Sequence, residues 1–238
     1  MAGDEHVYGP AWDSVHEGYF SDRAAARPLI AAIRRNLAGA TTLVDLGGGT
    51  GFILAELARA GVPEMIRLIN LDSSAAQLSV VNHHRIEPLH KSVECFRRCD
   101  LRARGPVLFV MRSVLHYAGR EGLLPLLRHV RAQMWPGERF VHQTVCFPRR
   151  QEADLANRAY ALTESGKWLP TVRELRRALA ATGWQVKSSE EAPPLPLSVA
   201  EVARRYRLSE RKTTALREIF DVWKPAELPY KIFVCEAR

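Results

Sequence analysis

Cysteine is scarce in this chain, and acid is scarcer than base. Four cysteines (Cys95, Cys99, Cys146, Cys235) in 238 residues are too few for a disulfide framework. The Cys95-x-x-x-Cys99 pair lacks zinc-ribbon spacing and no second Cys or His pair follows it, so structural thiols in strands are expected and a metal site is not. No apolar run approaches the roughly 20 residues of a membrane-spanning helix. Residues 1–10 carry Asp4, Glu5 and His6 and no apolar core, unlike a secretory signal. A cytoplasmic protein that does not engage a membrane is the expectation. With 15 Gly and 14 Pro, collagen-like and low-complexity chains are excluded.

Apolar surface is plentiful. At 47% hydrophobic and 25% charged residues, the chain can offset the entropy of ordering, so disorder is excluded for most of it. Its length suits one large domain. Lys and Arg (34) against Asp and Glu (26) leave +8, a balance compatible with nucleic acid, an anionic substrate or a merely solvated surface. Arg is spread along the whole chain, which favours the last.

From Thr41 onward strands alternate with helices. Thr41–Leu46, Met65–Leu71, Val93–Arg97, Val107–Met111 and Arg139–Cys146 read as strands one to five. Thr50–Ala60 and Ser74–His83 read as helices. A third helix carries the stripe Leu123, Leu127, Val130 and Met134. Arg149–Glu164 reads as an inserted helix, and Thr171 with Glu174 as a capping box opening another. Trp184–Ser188 and Tyr230–Glu236 complete the strands, separated by a Pro-rich turn (Pro193, Pro194, Pro196) and helical Ser198–Phe220. This alternation predicts an α/β fold with a mostly parallel sheet and helices on both faces.

Val44-Asp45-Leu46-Gly47-Gly48-Gly49-Thr50-Gly51 lies between a strand and a helix, where α/β sheets bind ligands. Bare glycine backbone lets a ligand press close. The dinucleotide pattern G-x-G-x-x-G/A would need Gly or Ala at Phe52, so it fails. D-x-G-x-G-x-G, from Asp45, resembles instead the first motif of class I S-adenosylmethionine (SAM)-dependent methyltransferases.

That resemblance implies a Rossmann-like seven-stranded sheet of order 3-2-1-4-5-7-6 with the last strand antiparallel. SAM would be the cofactor and S-adenosylhomocysteine the product. Asp45 would organise the methionine end, and Gly47, Gly48, Gly49 and Gly51 would lie along the nucleoside. Asp72, 21 residues after Gly51, suits the ribose hydroxyls, and equally a helix cap. Ser73 would lie near adenine. Asp100-Leu101 follows the strand at Val93–Arg97, where the family places an acid for the adenine amino group. Ser113 joins the cofactor contacts.

Arg112-Ser113-Val114-Leu115-His116-Tyr117 is similar to the segment of small-molecule O-methyltransferases that supplies a histidine base. His116 is therefore either a general base or a packing residue. The exocyclic-amine tetrapeptide and the Pro-Cys of nucleic-acid methyltransferases are both missing here, so nucleic acid is not the expected partner. A methyl transfer to a small-molecule hydroxyl is expected. An RNA or protein methyltransferase, or a SAM-binding non-catalytic relative, stands as the alternative.

The whole chain, 1–238, reads as one methyltransferase domain. A helical cap spans 1–40, the SAM-binding core 41–146, and lid insertions 147–170 and 189–229. Tyr8, Trp12, His16, Tyr19, Phe20, Tyr117, Tyr160 and Trp168 either enclose the acceptor or seal the lid. The basic run Arg204-Arg205-Tyr206-Arg207 with Arg211 and Lys212 could face an anionic substrate, RNA, a partner subunit or solvent. Monomer and homodimer both fit.

Overall fold

The computed structural model describes residues 18–238. The expected Tyr8, Trp12 and His16 lie outside them. The described elements run α1 (Arg23–Arg35), β1 (Thr42–Leu46), α2 (Phe52–Arg59), β2 (Arg67–Asp72), α3 (Ala75–Ser79), β3 (Ile86–His90), β4 (Val107–Arg112), α4 (Gly119–Ala132) and β5 (Arg139–Val145). They continue with α5 (Arg150–Ala161), α6 (Val172–Ala181), β6 (Trp184–Pro196), α7 (Val199–Arg205), α8 (Glu210–Val222) and β7 (Glu227–Ala237).

The seven strands form one sheet of order β3-β2-β1-β4-β5-β7-β6. Pairings among β1 to β5 are parallel, and β7 runs antiparallel to β5 and β6. Strand periodicity divides the core into two layers. Leu43, Leu68, Val110, Val141 and Ile232 point to one side, with α1, α2 and the lid helices. Val44, Ile69, Met111, Phe140 and Phe233 point to the other, with α4 and α6. Thr171 Oγ1 accepts from Glu174 N–H and Glu174 Oε2 from Thr171 N–H, so the capping box opens α6 as expected. Among the described residues no helix is long and apolar enough to cross a membrane.

Three expectations need correction. Strand three is Ile86–His90, not Val93–Arg97. Its Pro88 and exposed Glu87 disguise it, yet at the edge of a sheet a missing N–H costs no ladder bond. Val93 and Phe96 are buried from a turn. The Pro-rich segment is no turn: it extends β6, an edge strand whose register shifts at Val186/Ser188 and Ala192/Leu195. The lid insertion expected over 189–229 is thus strand at both ends, and its helical part breaks at Tyr206–Ser209, where Arg207 has φ +50°.

Candidate active site

The glycine loop leaves β1 and is clamped from two neighbours. Gly47 N–H donates to the Leu71 carbonyl at 2.8 Å. Gly49 N–H donates to Asp72 Oδ2 and Asn70 Nδ2 to the Gly49 carbonyl, both at 2.8 Å. Gly49 sits at φ +55°, and a Cβ there would lie 2.4 Å from Gln77 Oε1. A Cβ on Gly48 would fall 2.0 Å from Asn70 Oδ1 and 2.7 Å from Asp45 Oδ2, far inside van der Waals contact. Glycine is therefore required by crowding as well as by backbone angle. Asp72 Oδ1 also accepts from Ser74 N–H at 2.8 Å. Ser74 itself caps α3, so Asp72 braces the turn beside the cap.

Below the loop runs a row of polar side chains at the carboxyl ends of the strands. Asn70 on β2 pairs in register with Asp45 on β1, and Arg112 on β4 with Gln143 on β5. By alternation all four project to the α1 side, into an otherwise apolar layer. Both Asp45 oxygens, Asn70 Oδ1, Gln77 Nε2, Arg112 Nε and Gln143 Oε1 are buried without a hydrogen-bond partner. Unmatched groups in such number mark a site meant for something else. Burial first, then the nearby charge of Asp72, pushes the Asp45 carboxyl up to about 7, against a smaller downward pull from Arg112. Arg112 donates to the Tyr19 and Phe20 carbonyls at 3.2 and 3.0 Å and lies over both rings. Burial lowers its basicity.

A methyl on Gly47 would lie 2.7 Å from Val114 Cγ2, so the loop after β4 touches the glycine loop. That loop carries Ser113, at φ +64°, whose hydroxyl hydrogen-bonds the Tyr230 phenol. His116 follows, buried, with Nδ1 unpartnered. Burial, and then the Lys167 ammonium, holds its pKa well below the ordinary imidazole value. Its ring lies 4.3 Å from that of Tyr117, and its carbonyl accepts from Trp168 N–H at 3.0 Å. Lys167 donates to the Tyr206 hydroxyl at 2.6 Å and sits 4.4, 5.1 and 5.8 Å from the ring centres of Tyr117, Tyr206 and Tyr160.

A model of a family described as a methyltransferase domain matches residues 19–189, well over half of the chain. The chain belongs to this methyltransferase family. No curated protein sequence matches it closely enough to count as a relative. Solved structures share the fold at low identity. A Bacillus halodurans protein described as a methyltransferase is 11% identical at TM-score 0.68, covering 87% of this chain and 97% of its own. Streptomyces coelicolor geranyl diphosphate C-methyltransferase, solved with S-adenosylhomocysteine, is 17% identical at TM-score 0.60, covering 89% and 76%. Burkholderia thailandensis 1,6-didemethyltoxoflavin-N1-methyltransferase, also with S-adenosylhomocysteine, is 15% identical at TM-score 0.59, covering 95% and 84%.

This methyltransferase is SAM-dependent, and its residues suit that cofactor. The orphaned Asp45 carboxylate offers a partner for an ammonium group. The loop holds a cradle that a single Cβ would fill. Asp72 ends β2 beside the loop, and a carboxylate is the acceptor that vicinal hydroxyls call for.

The structure brings Asp45, Gly47, Gly48, Gly49, Gly51, Asp72 and Ser73 together on neighbouring strand ends, with Ser113 across from them. Leu101 is not brought in, and Asp100 is tied to Lys91, which follows β3, at 3.8 Å. Asp100 Oδ2 accepts from Arg97 N–H at 2.8 Å, closing a short 3-10 turn. The Leu101 carbonyl accepts from Arg67, the first residue of β2, so Leu101 lies toward the opposite end of that strand from the loop. Tyr19, Tyr117 and Tyr160 join the cluster around His116 and Ser113, while Trp168 faces Arg120 at 5.9 Å. Asn70, Arg112 and Gln143 were missed by sequence reasoning. A polar residue at the inward phase of an apolar strand is the signal that marks each of them.

Proposed function

We propose that this methyltransferase moves the methyl group of SAM to a hydroxyl oxygen of a small-molecule acceptor held under the lid. Bound SAM supplies a methyl group made electrophilic by its sulfonium. Asp45 holds the cofactor's ammonium, the glycines carry its nucleoside, and Asp72 and Ser73 flank its ribose and base. Tyr19, Phe20, Tyr117 and Tyr160 enclose the acceptor and exclude water. His116 takes the proton that the acceptor hydroxyl sheds as its oxygen is methylated.

His116 carries the reading: a buried imidazole with an unpartnered nitrogen, on the loop that touches the glycine loop. Its depressed pKa keeps it in the proton-accepting form into the acid range. At saturating SAM the rate should therefore stay flat through pH 6.5, where an ordinary histidine base would lose activity. The Streptomyces and Burkholderia proteins are named for small molecules, which supports a small acceptor. Those act at carbon and nitrogen, so the choice of oxygen rests on His116.

The test is calorimetry with SAM and S-adenosylhomocysteine, followed by label transfer from methyl-labelled SAM to a panel of phenols and hydroxy acids. Binding heat and a base-stable methyl ether are expected. His116→Ala should leave cofactor affinity unchanged and cut turnover about a hundredfold. A variant within a few-fold of the parent would remove His116 from the mechanism.

A further inference from the structure

Three unsatisfied acceptors and one unsatisfied cationic donor stand in one row at the carboxyl ends of β2, β1 and β4. Both Asp45 oxygens and Asn70 Oδ1 are buried without a partner. The two side chains border the same glycine, since a Cβ on Gly48 would strike each of them. On the next strand Val110 pairs with Asp45. Arg112, two residues further, therefore projects to the same face, about 7 Å nearer the strand ends. Its Nε is buried and unpartnered as well. The opposite charges feel each other, each favouring the other's ionised form, yet no ion pair joins them among the described residues.

The guanidinium is held in place from its other side. One Nη donates to the Phe20 carbonyl at 3.0 Å and the other to the Tyr19 carbonyl at 3.2 Å. Its charge lies 5.4, 5.5 and 5.9 Å from the ring centres of Tyr19, Phe20 and Phe52. Tyr19 is anchored in turn. Its hydroxyl donates to the Pro193 carbonyl at 2.6 Å and accepts from Gln143 Nε2 at 2.9 Å, and its ring stacks on Tyr230 at 5.3 Å and 18°. This tyrosine wall fixes the plane of the guanidinium and leaves Nε–H as the donor still to be matched. A guanidinium edge suits a carboxylate. A lone cation in the row would match Asp45 and strand Arg112, and a lone anion would do the reverse. One kind of group answers both: a zwitterion with ammonium and carboxylate on the same carbon, as at the amino-acid end of SAM.

We propose that Arg112 receives the α-carboxylate of SAM, while Asp45 and Asn70 Oδ1 take the ammonium. This rests on the ammonium site proposed above at Asp45. Arg112 is then a binding residue that reads the acid group of the cofactor. The same guanidinium grips the main chain of Tyr19 and Phe20, so it ties the bound cofactor to the segment proposed to enclose the acceptor.

The experiment measures the affinity of the full chain for three ligands. They are S-adenosylhomocysteine, its decarboxylated analogue, which keeps the ammonium, and 5′-deoxy-5′-methylthioadenosine, which lacks the amino-acid end. The parent should bind S-adenosylhomocysteine about a hundredfold more tightly than the decarboxylated analogue, the worth of a charge-assisted contact to a carboxylate. Arg112→Met should erase that preference and leave the affinity for methylthioadenosine within about threefold. Arg112→Lys, which keeps the charge without the fork, should retain part of it. The parent's own preference needs no variant, so a poorly folded Arg112→Met still leaves the proposal open to refutation. Equal affinity of the parent for the two amines, a preference that survives Arg112→Met, or an equal loss for all three ligands in a folded variant overturns it. Absence of any binding of S-adenosylhomocysteine would sink the placing of the cofactor itself, whereas its binding without regard to the carboxylate would sink only the role of Arg112.

Discussion

Two half-buried arginines packed against opposite ends of the same sheet have opposite surroundings. Arg98, at the amino end of the strands, donates to both Glu138 oxygens at 2.7 Å, to the Gln133 carbonyl at 3.0 Å and to the Gly105 carbonyl at 3.2 Å. Its guanidinium also lies 3.8 Å over Trp135. Glu138 accepts two main-chain N–H groups besides, from Val107 and Trp135. Arg112, at the carboxyl end, holds two carbonyls but leaves Nε unmatched beside an Asp45 that has no partner at all. A saturated network rigidifies a fold. An unsaturated one leaves donors and acceptors for a ligand or water to take up.

The sharpest way to break this comparison is Asp45→Asn. With a folded pKa of about 7 against roughly 4 unfolded, Asp45 favours folding in its protonated form. That contribution is complete below pH 4 and disappears as pH rises through 7. Asparagine mimics the protonated form, so the variant should match the parent at pH 4 and exceed its stability at pH 8. The gain approaches about 4 kcal/mol, at about 1.4 kcal/mol per tenfold in the acidity constant. The same variant should lose most of its affinity for S-adenosylhomocysteine. Denaturant melts at the two pH values check the first half, and a flat difference between them would refute it.

At the other end the signs reverse. Glu138→Ala leaves the half-buried Arg98 guanidinium and two main-chain N–H groups without their acceptor and should cost about 3 kcal/mol of stability, while the folded fraction binds cofactor within about twofold of the parent. If cofactor affinity falls in step with stability, the two ends are not separable. The smallest effect is expected at Asp72→Ala. It removes the proposed ribose contact but also the brace on Gly49, so cofactor affinity should drop about tenfold or more and melting temperature by only a few degrees. A titration unchanged from the parent would make Asp72 a brace alone.

The sequence made the cofactor half legible because its signals are local. The glycine run, Asp45 and the Thr171–Glu174 box each lie within a few residues of the element they build, and the sheet order came with the family resemblance that the glycine run carries. Tertiary context decided the rest. Pro88, Pro193 and Pro194 argue against strands until their strands prove to be edges, where the missing donors face no neighbour. Asp100 was read as following strand three directly, whereas β3 ends ten residues earlier, at His90. Arg112 and Gln143 announce themselves only by polarity on an inward phase. The tyrosine wall has no sequence signature at all, since Tyr19 and Tyr230 stand at opposite ends of the chain.

The lid helices α7 and α8 leave the sheet at the end of β6 and return at the start of β7, and Leu197 N–H donates to the Ala226 carbonyl at 2.9 Å where the two crossings meet. Thirty residues thus enter and leave through one neck on the outermost hairpin, three strands along the sheet from β1. Such a segment is an exchangeable cassette. Drift or grafting within it can retune what is methylated while the half that binds the methyl donor stays as it is.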